Sequence, residues 1–488
     1  MRKRLSVLLL VSLFFTAIPN YVLAQSSISD EAQAHILNEL NRANIPNAAI
    51  AVIQDGEISY ILKDSEHDTL FQLGSVAKSF TSFGVLLLED MGLLSVSDPV
   101  NQHLPWFWVN YNGVPVPHED ITIYNLLQNT SGFMRVGGYT PILSREMSKD
   151  EIIALLVGDE LTFYPSESYA YANENFILLG YIIEAVSGQS YDEFMTQHVL
   201  HPLGLYDTFT DLQRAYDTGR VIGGHRFGFL RFRPYYMPMP SQTVPTGRIY
   251  SSIADMARWA GIHLGTVDVN EQFTRVVQRS RVNHHALEGT FANARDPLGE
   301  ALIYYSAGWN IYADGSIGHG GSTATDFANV RMFPEHNIAV VVLFNSLPLP
   351  MHMGQWIPIV FEAVYNENFA SATIDIINPI VDIVFIVLAI AGILFIGLFV
   401  RLAVKVSKQL RNGEKIKSKL RIRWLIGLFL TIIGLFGFHV LAPMAFGGSF
   451  STFLMLFPLS TPLAIIAVWI MAVYSLFSLW AKIFVSPR

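Results

Sequence analysis

The sequence predicts an α/β protein in which an antiparallel sheet is flanked by helices and joined by a helical subdomain, followed by three membrane-spanning helices. Three observations predict this architecture. Strand and hairpin patterns occur near both ends of residues 25–365, helical patterns fill the middle of that range, and long apolar runs occupy the last quarter of the chain. A chain of 488 residues is too long for one ordinary compact core, so several structural units are expected.

The N-terminus has the pattern of a signal peptide. A basic stretch at 2–4 precedes a short apolar run from Leu5 to Phe15, and Ala24 ends a group suited to cleavage. An uncleaved anchor helix is the alternative, but the run is short and Pro19 follows it. Residues 1–24 are therefore predicted to be removed, and export of the chain from Gln25 onward is expected.

Residues 25–365 are predicted to form one extracytoplasmic domain. Helices are predicted from Ser29 onward and over Ser75–Asp90, Glu151–Val157 and Asn175–Val186. Strands are predicted as the hairpin pairs Ala48–Gln54 with Ile58–Leu62, Gly308–Tyr312 with Ile317–Gly320, and Asp326–Phe333 with Ile338–Phe344. With strands at both ends and helices between, the two ends of the domain are expected to share one antiparallel sheet.

After a connector at 366–379, residues 380–488 are predicted to form a membrane anchor. Its three apolar segments are Ile380–Val400, Trp424–Phe446 and Phe453–Trp480. Each reaches the roughly 20 residues that a helix needs to cross a hydrocarbon core. Buried helices of a soluble domain are the alternative, but such helices normally carry a polar stripe, and Asp382 is the one acidic residue within these segments.

Loop charges predict the orientation of the anchor. Nine basic residues separate the first two segments: Arg401, Lys405, Lys408, Arg411, Lys415, Lys417, Lys419, Arg421 and Arg423. Positively charged loops stay in the cytoplasm. An odd number of spans then places everything before Ile380 outside, which agrees with the signal peptide. A multi-pass protein of a bacterial cytoplasmic membrane, with the lipid bilayer as a partner, is expected.

Composition excludes several kinds of chemistry. The chain has no cysteine, so it contains no disulfide, thiol nucleophile or thiolate metal site. The net charge of −8 gives no indication of nucleic-acid binding. Its histidines lack the spacing of a metal site, and neither a metal nor another cofactor is predicted. Nothing in the sequence indicates an oligomeric state.

The first motif with chemical content is Ser75-Val76-Ala77-Lys78, which opens a predicted helix. Residues three apart share one helical face. A serine hydroxyl becomes a good nucleophile when a base takes its proton, and a lysine amine in a buried setting can be that base. This is the only Ser-x-x-Lys of the chain, and Lys78 is one of three lysines between Gln25 and Val400.

Two further motifs gain meaning from the first. Tyr171-Ala172-Asn173 precedes a predicted helix; the tyrosine could act as general base and acid, and the asparagine could orient the lysine or bind an amide. The late segment Gly318-His319-Gly320-Gly321-Ser322 follows a predicted strand, where an exposed backbone N–H can stabilise an oxyanion. Alone, the Tyr171–Asn173 motif would be interpreted as a polar turn and the Gly318–Ser322 segment as a glycine-rich turn.

The order of the three motifs resembles the β-lactamase and penicillin-binding protein superfamily, and class C β-lactamase-like serine hydrolases in particular. Further similar segments are Leu126–Gly132, Leu179–Gly188, Pro202–Leu205 and Gly247–Ser252. The resemblance covers about residues 25–350 and implies a β-lactamase/transpeptidase-like fold.

The resemblance also implies roles for single residues. Ser75 would be the nucleophile, Lys78 its base, and Tyr171 a general acid/base, with an acyl-serine intermediate. The backbone N–H groups of Ser75 and Ser322 would form the oxyanion hole. The substrate-binding residues would be Asn173, His319, Gly321, Ser322 and Asn129.

Departures from the family pattern bear on the substrate. His319 and Gly320 stand where a lysine and a threonine often hold a substrate carboxylate, which weakens the case for efficient β-lactam hydrolysis. Asn129 replaces a usual histidine and Arg248 a frequent glycine, and both are expected to tune the substrate pocket. His225 is a further candidate for that pocket, although a loop histidine is more often structural.

By resemblance, the predicted substrate is a D-amino-acid amide or ester: a cell-wall peptide, a teichoic acid D-alanyl ester, or the N-acyl-D-amino-acid cap of an exported precursor. A β-lactamase is one alternative, and a non-catalytic protein that senses wall fragments or penicillin is another. The presence of Ser75, Lys78 and Tyr171 together favours an enzyme.

Overall fold

In this computed structural model of the chain, the structure describes residues 28–134, 147–236, 241–282, 291, 294–296, 300–347, 354–373, 376–412, 429, 433, 435–436 and 458–484. The predicted signal peptide, residues 1–24, lies outside these ranges.

The strands in chain order are β1 Ala48–Gln54, β2 Glu57–Lys63, β3 Leu70–Gln72, β4 Val109–Tyr111, β5 Val114–Pro115, β6 Asp159–Glu160, β7 Thr208–Phe209, β8 His225–Gly228, β9 Arg231–Pro234, β10 Tyr250–Ser252, β11 Leu302–Ser306, β12 Trp309–Tyr312, β13 Ile317–Ser322, β14 Phe327–Phe333 and β15 Ile338–Phe344.

The helices are α1 Asp30–Arg42, α2 Ala77–Asp90, α3 Val100–His103, α4 Ile123–Gln128, α5 Lys149–Leu156, α6 Asn173–Ser187, α7 Tyr191–Phe194, α8 Leu212–Asp217, α9 Val244–Gly247, α10 Ile253–Leu264, α11 Glu271–Arg279, α12 Trp356–Tyr365, α13 Ile377–Arg411 and α14 Thr461–Phe484. A π-helical turn, Met195–Leu200, extends α7, and 3-10 turns occur at Gly74–Val76, His118–Asp120, Ser241–Thr243 and Pro334–His336.

Among the described residues, seven strands form one sheet in the order β11-β12-β13-β14-β15-β1-β2. Every neighbouring pair is antiparallel, and β1 lies between β2 and β15, with Ala48 opposite both Lys63 and Phe344. The first and last strands of the domain therefore pair directly, which confirms the predicted α/β layout with a sheet shared by both ends.

Successive side chains of a strand face opposite sides of the sheet, so the core has two layers. Ala49, Ala51 and Ile53 of β1 face a large cluster that includes α2, α6 and α10, whereas Ala48 and Ile50 face a smaller cluster formed by α1 and α12. Burying a large side chain contributes about 1.5–3 kcal/mol. Helix α2 lies at the centre of the larger layer, because every residue from Ala77 to Leu88 is buried.

Two described helices are long and apolar enough to cross a membrane, Ile377–Arg411 and Thr461–Ala481. They pack side by side in parallel, since contacts progress along both chains in the same direction. The paired residues are Asp382 with Ser460, Gly392 with Ala467, Phe395 with Tyr474, and Phe399 with Phe477. A Cβ on Gly392 would lie 2.5 Å from that of Ala467, so small residues permit the close approach.

These helices correspond to the first and third predicted apolar segments, with shifted ends. The first begins at Ile377 rather than Ile380, within the predicted connector, and continues to Arg411. The other begins at Thr461 rather than Phe453. Almost all of the second predicted span, 424–446, lies outside the described residues.

Candidate active site

Ser75 lies at the entrance to the buried helix α2. It is in the 3-10 turn Gly74–Val76, and α2 begins two residues later at Ala77. Gly74 has φ +51°, and a Cβ there would be 2.5 Å from the backbone nitrogen of Ser322, so this turn requires glycine. Ser75 is half-buried while the helix behind it is largely buried, so this residue lies where the core meets the protein surface.

Lys78 lies one helical turn beyond Ser75, and its amine contacts three oxygen acceptors. Lys78 Nζ is 3.0 Å from Ser75 Oγ, 2.7 Å from Asn173 Oδ1 and 2.7 Å from the carbonyl oxygen of Thr246. These contacts join α2, the first residue of α6, and α9 at one point. The amine is thus fixed within hydrogen-bond reach of the serine, as the Ser-x-x-Lys spacing predicts.

The side chain of Lys78 is fully buried, and this sets its protonation. Burial lowers the pKa of the Lys78 amine well below its ordinary value, and the nearby Glu174 carboxyl partly opposes that shift. A neutral amine has a lone pair available for the Ser75 proton. The structure therefore supports the predicted role of Lys78 as a base.

Tyr171 lies on the loop just before α6, and its hydroxyl is buried facing the serine. Burial raises the pKa of Tyr171 above its ordinary range, and the neighbouring Ser75 hydroxyl opposes that shift. Its ring lies 4.9 Å from Lys78 Nζ. Since burial disfavours both ionised forms, it favours a neutral amine and a protonated phenol, which suits Tyr171 to donate a proton rather than to begin as the base.

Asn129 shapes the tyrosine loop. It ends α4 in the left-handed conformation, with φ 56°, and is fully buried. Its Oδ1 accepts hydrogen bonds from Ala172 N at 3.1 Å and Asn175 Nδ2 at 2.8 Å, while its backbone oxygen accepts from Ala170 N at 2.9 Å. The bonds to Ala170 and Ala172 bracket Tyr171. In this structure Asn129 therefore contributes to the site by positioning the tyrosine loop.

His319 lies beneath the site on β13 and is fully buried. Burial is the main cause that lowers the pKa of His319 to about 3, and Lys78 adds to that shift when it is protonated. Its Nε2 is 3.2 Å from the Tyr305 hydroxyl, and its Nδ1 is 2.6 Å from the carbonyl oxygen of Gly320. The ring is neutral at physiological pH, so it supplies no positive charge to hold a substrate carboxylate.

The backbone of β13 lies directly against the serine turn. A Cβ on Gly321 would overlap the carbonyl oxygen of Leu73 and lie 2.8 Å from Ser75 N. The backbone nitrogen of Ser322 is similarly close to Gly74. The backbone nitrogens of Ser75 and Ser322 thus lie on two segments in close contact, as the expected oxyanion hole requires.

Replacing Gly321 by alanine is expected to separate these two backbone segments. Losing one oxyanion donor lowers the acylation rate about 10²–10³-fold, and overpacking destabilises the fold by about 1–3 kcal/mol. Stopped-flow acylation and thermal unfolding would measure the two effects. Gly223→Ala is the matched control, because a Cβ on Gly223 meets open space. Gly321→Ala with unchanged acylation would contradict this placement of the oxyanion hole.

Two groups in the site carry no motif of their own. Thr246 contributes only its carbonyl oxygen, and the adjacent Pro245 carbonyl is held at 2.7 Å by the hydroxyl of Thr81. Tyr305 contacts His319, and its ring is 6.2 Å from that of Tyr171. Such groups could have been inferred only from their neighbours, since Thr246 lies just before the family-like stretch at Gly247.

Two residues expected to shape the pocket contact buried polar groups. Arg248 is buried close enough to Asp326 to oppose the rise in its pKa, which burial brings to about 6. His225 has Nδ1 3.0 Å from Asn345 Nδ2 and donates its backbone N–H to the Asn345 carbonyl oxygen. His225 therefore has a structural role, which is the more common one for a loop histidine.

Comparison with known proteins identifies the family to which this site belongs. The family model described as Beta-lactamase matches residues 32–364, more than two thirds of the chain, and includes all the residues described above. The chain belongs to the Beta-lactamase family. Its relatives and structural neighbours include penicillin-binding protein homologues, so the predicted resemblance to this superfamily is confirmed.

Two curated relatives give the scale of the similarity. Protein flp of Staphylococcus aureus strain MW2 is 27% identical over 398 residues, covering 78% of this chain and 75% of that protein. Penicillin-binding protein 4 of Amycolatopsis lactamdurans is 29% identical over 325 residues, covering 62% of this chain and 81% of that protein.

A solved structure supports the fold of this Beta-lactamase family member. The octameric penicillin-binding protein homologue from Pyrococcus abyssi has a TM-score of 0.53 and 23% identity, over 69% of this chain and 80% of its own. At that identity the similarity establishes the fold alone. The α/β architecture of a penicillin-binding protein is thus shared by both chains.

Proposed function

We propose that this protein is a membrane-anchored serine hydrolase, of the class C-like type, that acts outside the cell on D-amino-acid amides or esters through an acyl-serine intermediate. Members of its family are generally serine hydrolases. The observation that carries the proposal is the 3.0 Å contact between Ser75 Oγ and the amine of Lys78, whose burial favours the neutral form.

In the first half-reaction, Ser75 Oγ attacks the substrate carbonyl carbon and its proton passes to Lys78 Nζ. The carbonyl oxygen becomes an oxyanion between the N–H groups of Ser75 and Ser322. As the bond to the leaving group breaks, the Tyr171 hydroxyl donates a proton to the departing nitrogen or oxygen. Lys78 then returns its proton to the tyrosinate, so that an acyl-serine and the free amine or alcohol remain.

In the second half-reaction, water takes the place of the leaving group. The Tyr171 hydroxyl passes its proton to Lys78 Nζ and takes one from the water, and the resulting hydroxide adds to the ester carbonyl carbon in the same oxyanion site. Collapse breaks the bond between the acyl carbon and Ser75 Oγ, Lys78 gives its proton to Oγ, and the carboxylic acid is released. The same three side chains therefore serve both steps.

The substrate class rests on the site and on the resemblance together. Neutral His319 offers no charge to a substrate carboxylate, which favours esters, amides or D-amino-acid peptides over β-lactams. Candidate substrates are cell-wall peptides, teichoic acid D-alanyl esters and N-acyl-D-amino-acid caps of exported precursors.

The parallel packing of α13 and α14 supports a three-span anchor. Both helices begin near the catalytic domain, so the chain between Arg411 and Thr461 must return to the side from which α13 starts. If α13 and α14 cross the bilayer, the intervening chain crosses it once, and 424–446 is the predicted span. Helix α13 is about 52 Å long, beyond the roughly 30 Å of a hydrocarbon core, and it ends in basic residues suited to the cytoplasm.

The test is covalent labelling of the full chain in detergent with a fluorophosphonate, followed by peptide mass spectrometry. We expect one adduct, on Ser75. A panel of D-alanyl esters, D-amino-acid amides, N-acyl-D-asparagine amides and a chromogenic β-lactam then ranks the substrates, and we expect turnover of the esters or amides to exceed that of the β-lactam.

Each outcome of this experiment has a distinct meaning. A folded chain that gives no adduct would overturn the hydrolase proposal and favour a binding protein. An adduct with no turnover of any substrate would favour a penicillin or wall-fragment sensor. Rapid β-lactam turnover would show that a neutral His319 is compatible with β-lactamase activity.

A further inference from the structure

The hairpin formed by β8 and β9 has an unusual turn. Its two central residues, Phe229 and Leu230, both have positive φ, 54° and 64°. Hairpin turns with two such residues normally use Asn-Gly, because a side chain in the left-handed region costs roughly 1–2 kcal/mol per residue. Two large apolar residues are thus held in a strained turn at an exposed tip, which suggests that something outside the domain compensates the strain.

The tip of this hairpin contacts the start of both apolar helices. Leu230 N donates a hydrogen bond to Asp382 Oδ2 at 2.6 Å, and the hydroxyl of Ser460 donates to the other oxygen of the same carboxylate. Leu459 N donates to the carbonyl oxygen of Phe227 at 3.0 Å. Asp382, the acidic residue of the first apolar segment, is fully buried in this contact.

The tip lies at the level of the apolar helix surface. Asp382 is five residues, about 8 Å, along α13 from Ile377, and its neighbours Ile380 and Ile383 are exposed. If α13 enters a membrane at this level, an exposed apolar tip beside Ile380 and Ile383 would lie in the interfacial layer of that membrane. Phe229 and Leu230 are exposed to 39% and 54%.

The residues around the tip suit that layer. The guanidinium of Arg233 lies 5.3 Å from the centre of the Phe229 ring, and Arg231 is exposed beside the turn. Arginine side chains on an apolar surface reach up to lipid headgroups.

We propose that the hairpin His225–Pro234 is an additional membrane contact, whose Phe229–Leu230 tip enters the outer interfacial layer of the bilayer that holds the anchor. This inference rests on the proposed membrane anchoring. The buried carboxylate of Asp382 accepts the Leu230 N–H, so that this backbone donor is paired in an apolar environment. The apolar tip is then covered by lipid, which offsets the cost of its backbone.

The base of the hairpin packs on the turn that follows β13. A Cβ on Gly224 would overlap the Cβ of Thr325, so the hairpin base is packed tightly on the turn that follows Ser322. Strands of four residues extend about 13 Å. The oxyanion region is therefore held at a short and fixed height above the bilayer, where a substrate at the membrane surface can reach it.

The absence of cysteine permits a direct test. Single-cysteine variants of the full chain, each carrying an environment-sensitive nitrobenzoxadiazole label, are reconstituted into phosphatidylcholine–phosphatidylglycerol vesicles with spin-labelled lipids. Phe229→Cys probes the tip. Leu394→Cys, 65% exposed midway along α13, is the membrane control, and Tyr206→Cys, 67% exposed on the catalytic domain, is the solvent control.

We expect the label at position 229 to be quenched by a spin label near the headgroups, consistent with a depth of about 5–10 Å, and the label at 394 by a deep one. The label at 206 should be quenched by neither. If the label at 229 behaves like that at 206 while that at 394 is quenched, the hairpin proposal is overturned and the anchor stands. If the label at 394 is also unquenched, the anchor proposal itself fails.

Fluorophosphonate labelling of Ser75 in the same three variants tests the hydrolase proposal independently of membrane position. If Ser75 forms an adduct while the label at 229 is unquenched, the hydrolase proposal stands and the proposed membrane contact fails. If the label at 229 is quenched while Ser75 forms no adduct, the membrane contact stands and the hydrolase proposal fails.

Discussion

Ser75→Ala is expected to reduce hydrolysis of a D-alanyl ester by about 10⁶-fold and to abolish the fluorophosphonate adduct. The hydroxyl of Ser75 is the atom that bonds to the acyl group, and no other group in the site can replace it at the same place. The residual rate should be the modest acceleration that binding and the oxyanion donors supply. Intact-mass spectrometry measures the adduct, and a coupled assay for released D-alanine measures the rate.

Ser79→Ala is the matched control for that variant. Ser79 lies four residues further on, in α2, but its hydroxyl donates to the carbonyl oxygen of Val76 at 2.8 Å and accepts from Trp259 Nε1 at 3.2 Å within the core. Its loss should lower stability by about 0.5–1.5 kcal/mol and leave the adduct intact. An adduct that survives Ser75→Ala and disappears in Ser79→Ala would place the nucleophile elsewhere.

The central sheet was predictable from local patterns. Strand β1 occupies Ala48–Gln54 as predicted, because a continuous apolar run followed by Asp55-Gly56 leaves little choice of strand end or turn. Strands β14 and β15 fall within one residue of their predicted bounds for the same reason.

The start of α2 depends on a distant segment, and its prediction was less accurate. The pattern predicts a helix from Ser75, but α2 begins at Ala77 after a 3-10 turn. The left-handed Gly74 and its contact with the Gly321–Ser322 backbone impose that turn. Sequence patterning around Ser75 contains no information about a strand nearly 250 residues away.

Backbone groups of the site and hairpins with unusual turns were not predicted. The carbonyl oxygen of Thr246 has no sequence signature, since any residue supplies one. The hairpin His225–Pro234 was missed because its Phe229-Leu230 turn has none of the residues that normally mark such turns. The three side-chain motifs were predictable since they carry chemistry that few residue types provide.

Lys78→Met is expected to lower the acylation rate about 10²–10⁴-fold, the usual contribution of a positioned general base. Methionine has nearly the length of lysine but no amine, so the Ser75 hydroxyl loses the group that takes its proton. The pH profile distinguishes this role from simple packing. Because burial lowers the pKa of Lys78, the wild-type rate should rise with pH through a value below the ordinary 10.5 and then level off. In Lys78→Met that rise should be absent.

Lys63→Met provides the control, because Lys63 is another lysine whose pKa burial lowers. It lies on β2, away from the serine, and its amine donates to the carbonyl oxygen of Ile45. It should keep both the rate and the pH profile of the wild type. Tyr171 adds a second expectation: since burial raises its pKa above 10.0, the rate should not decline until alkaline pH. A Lys78→Met enzyme that retained the rising limb would assign the base to a group other than Lys78, and the neutral amine–phenol pair would no longer describe the resting site.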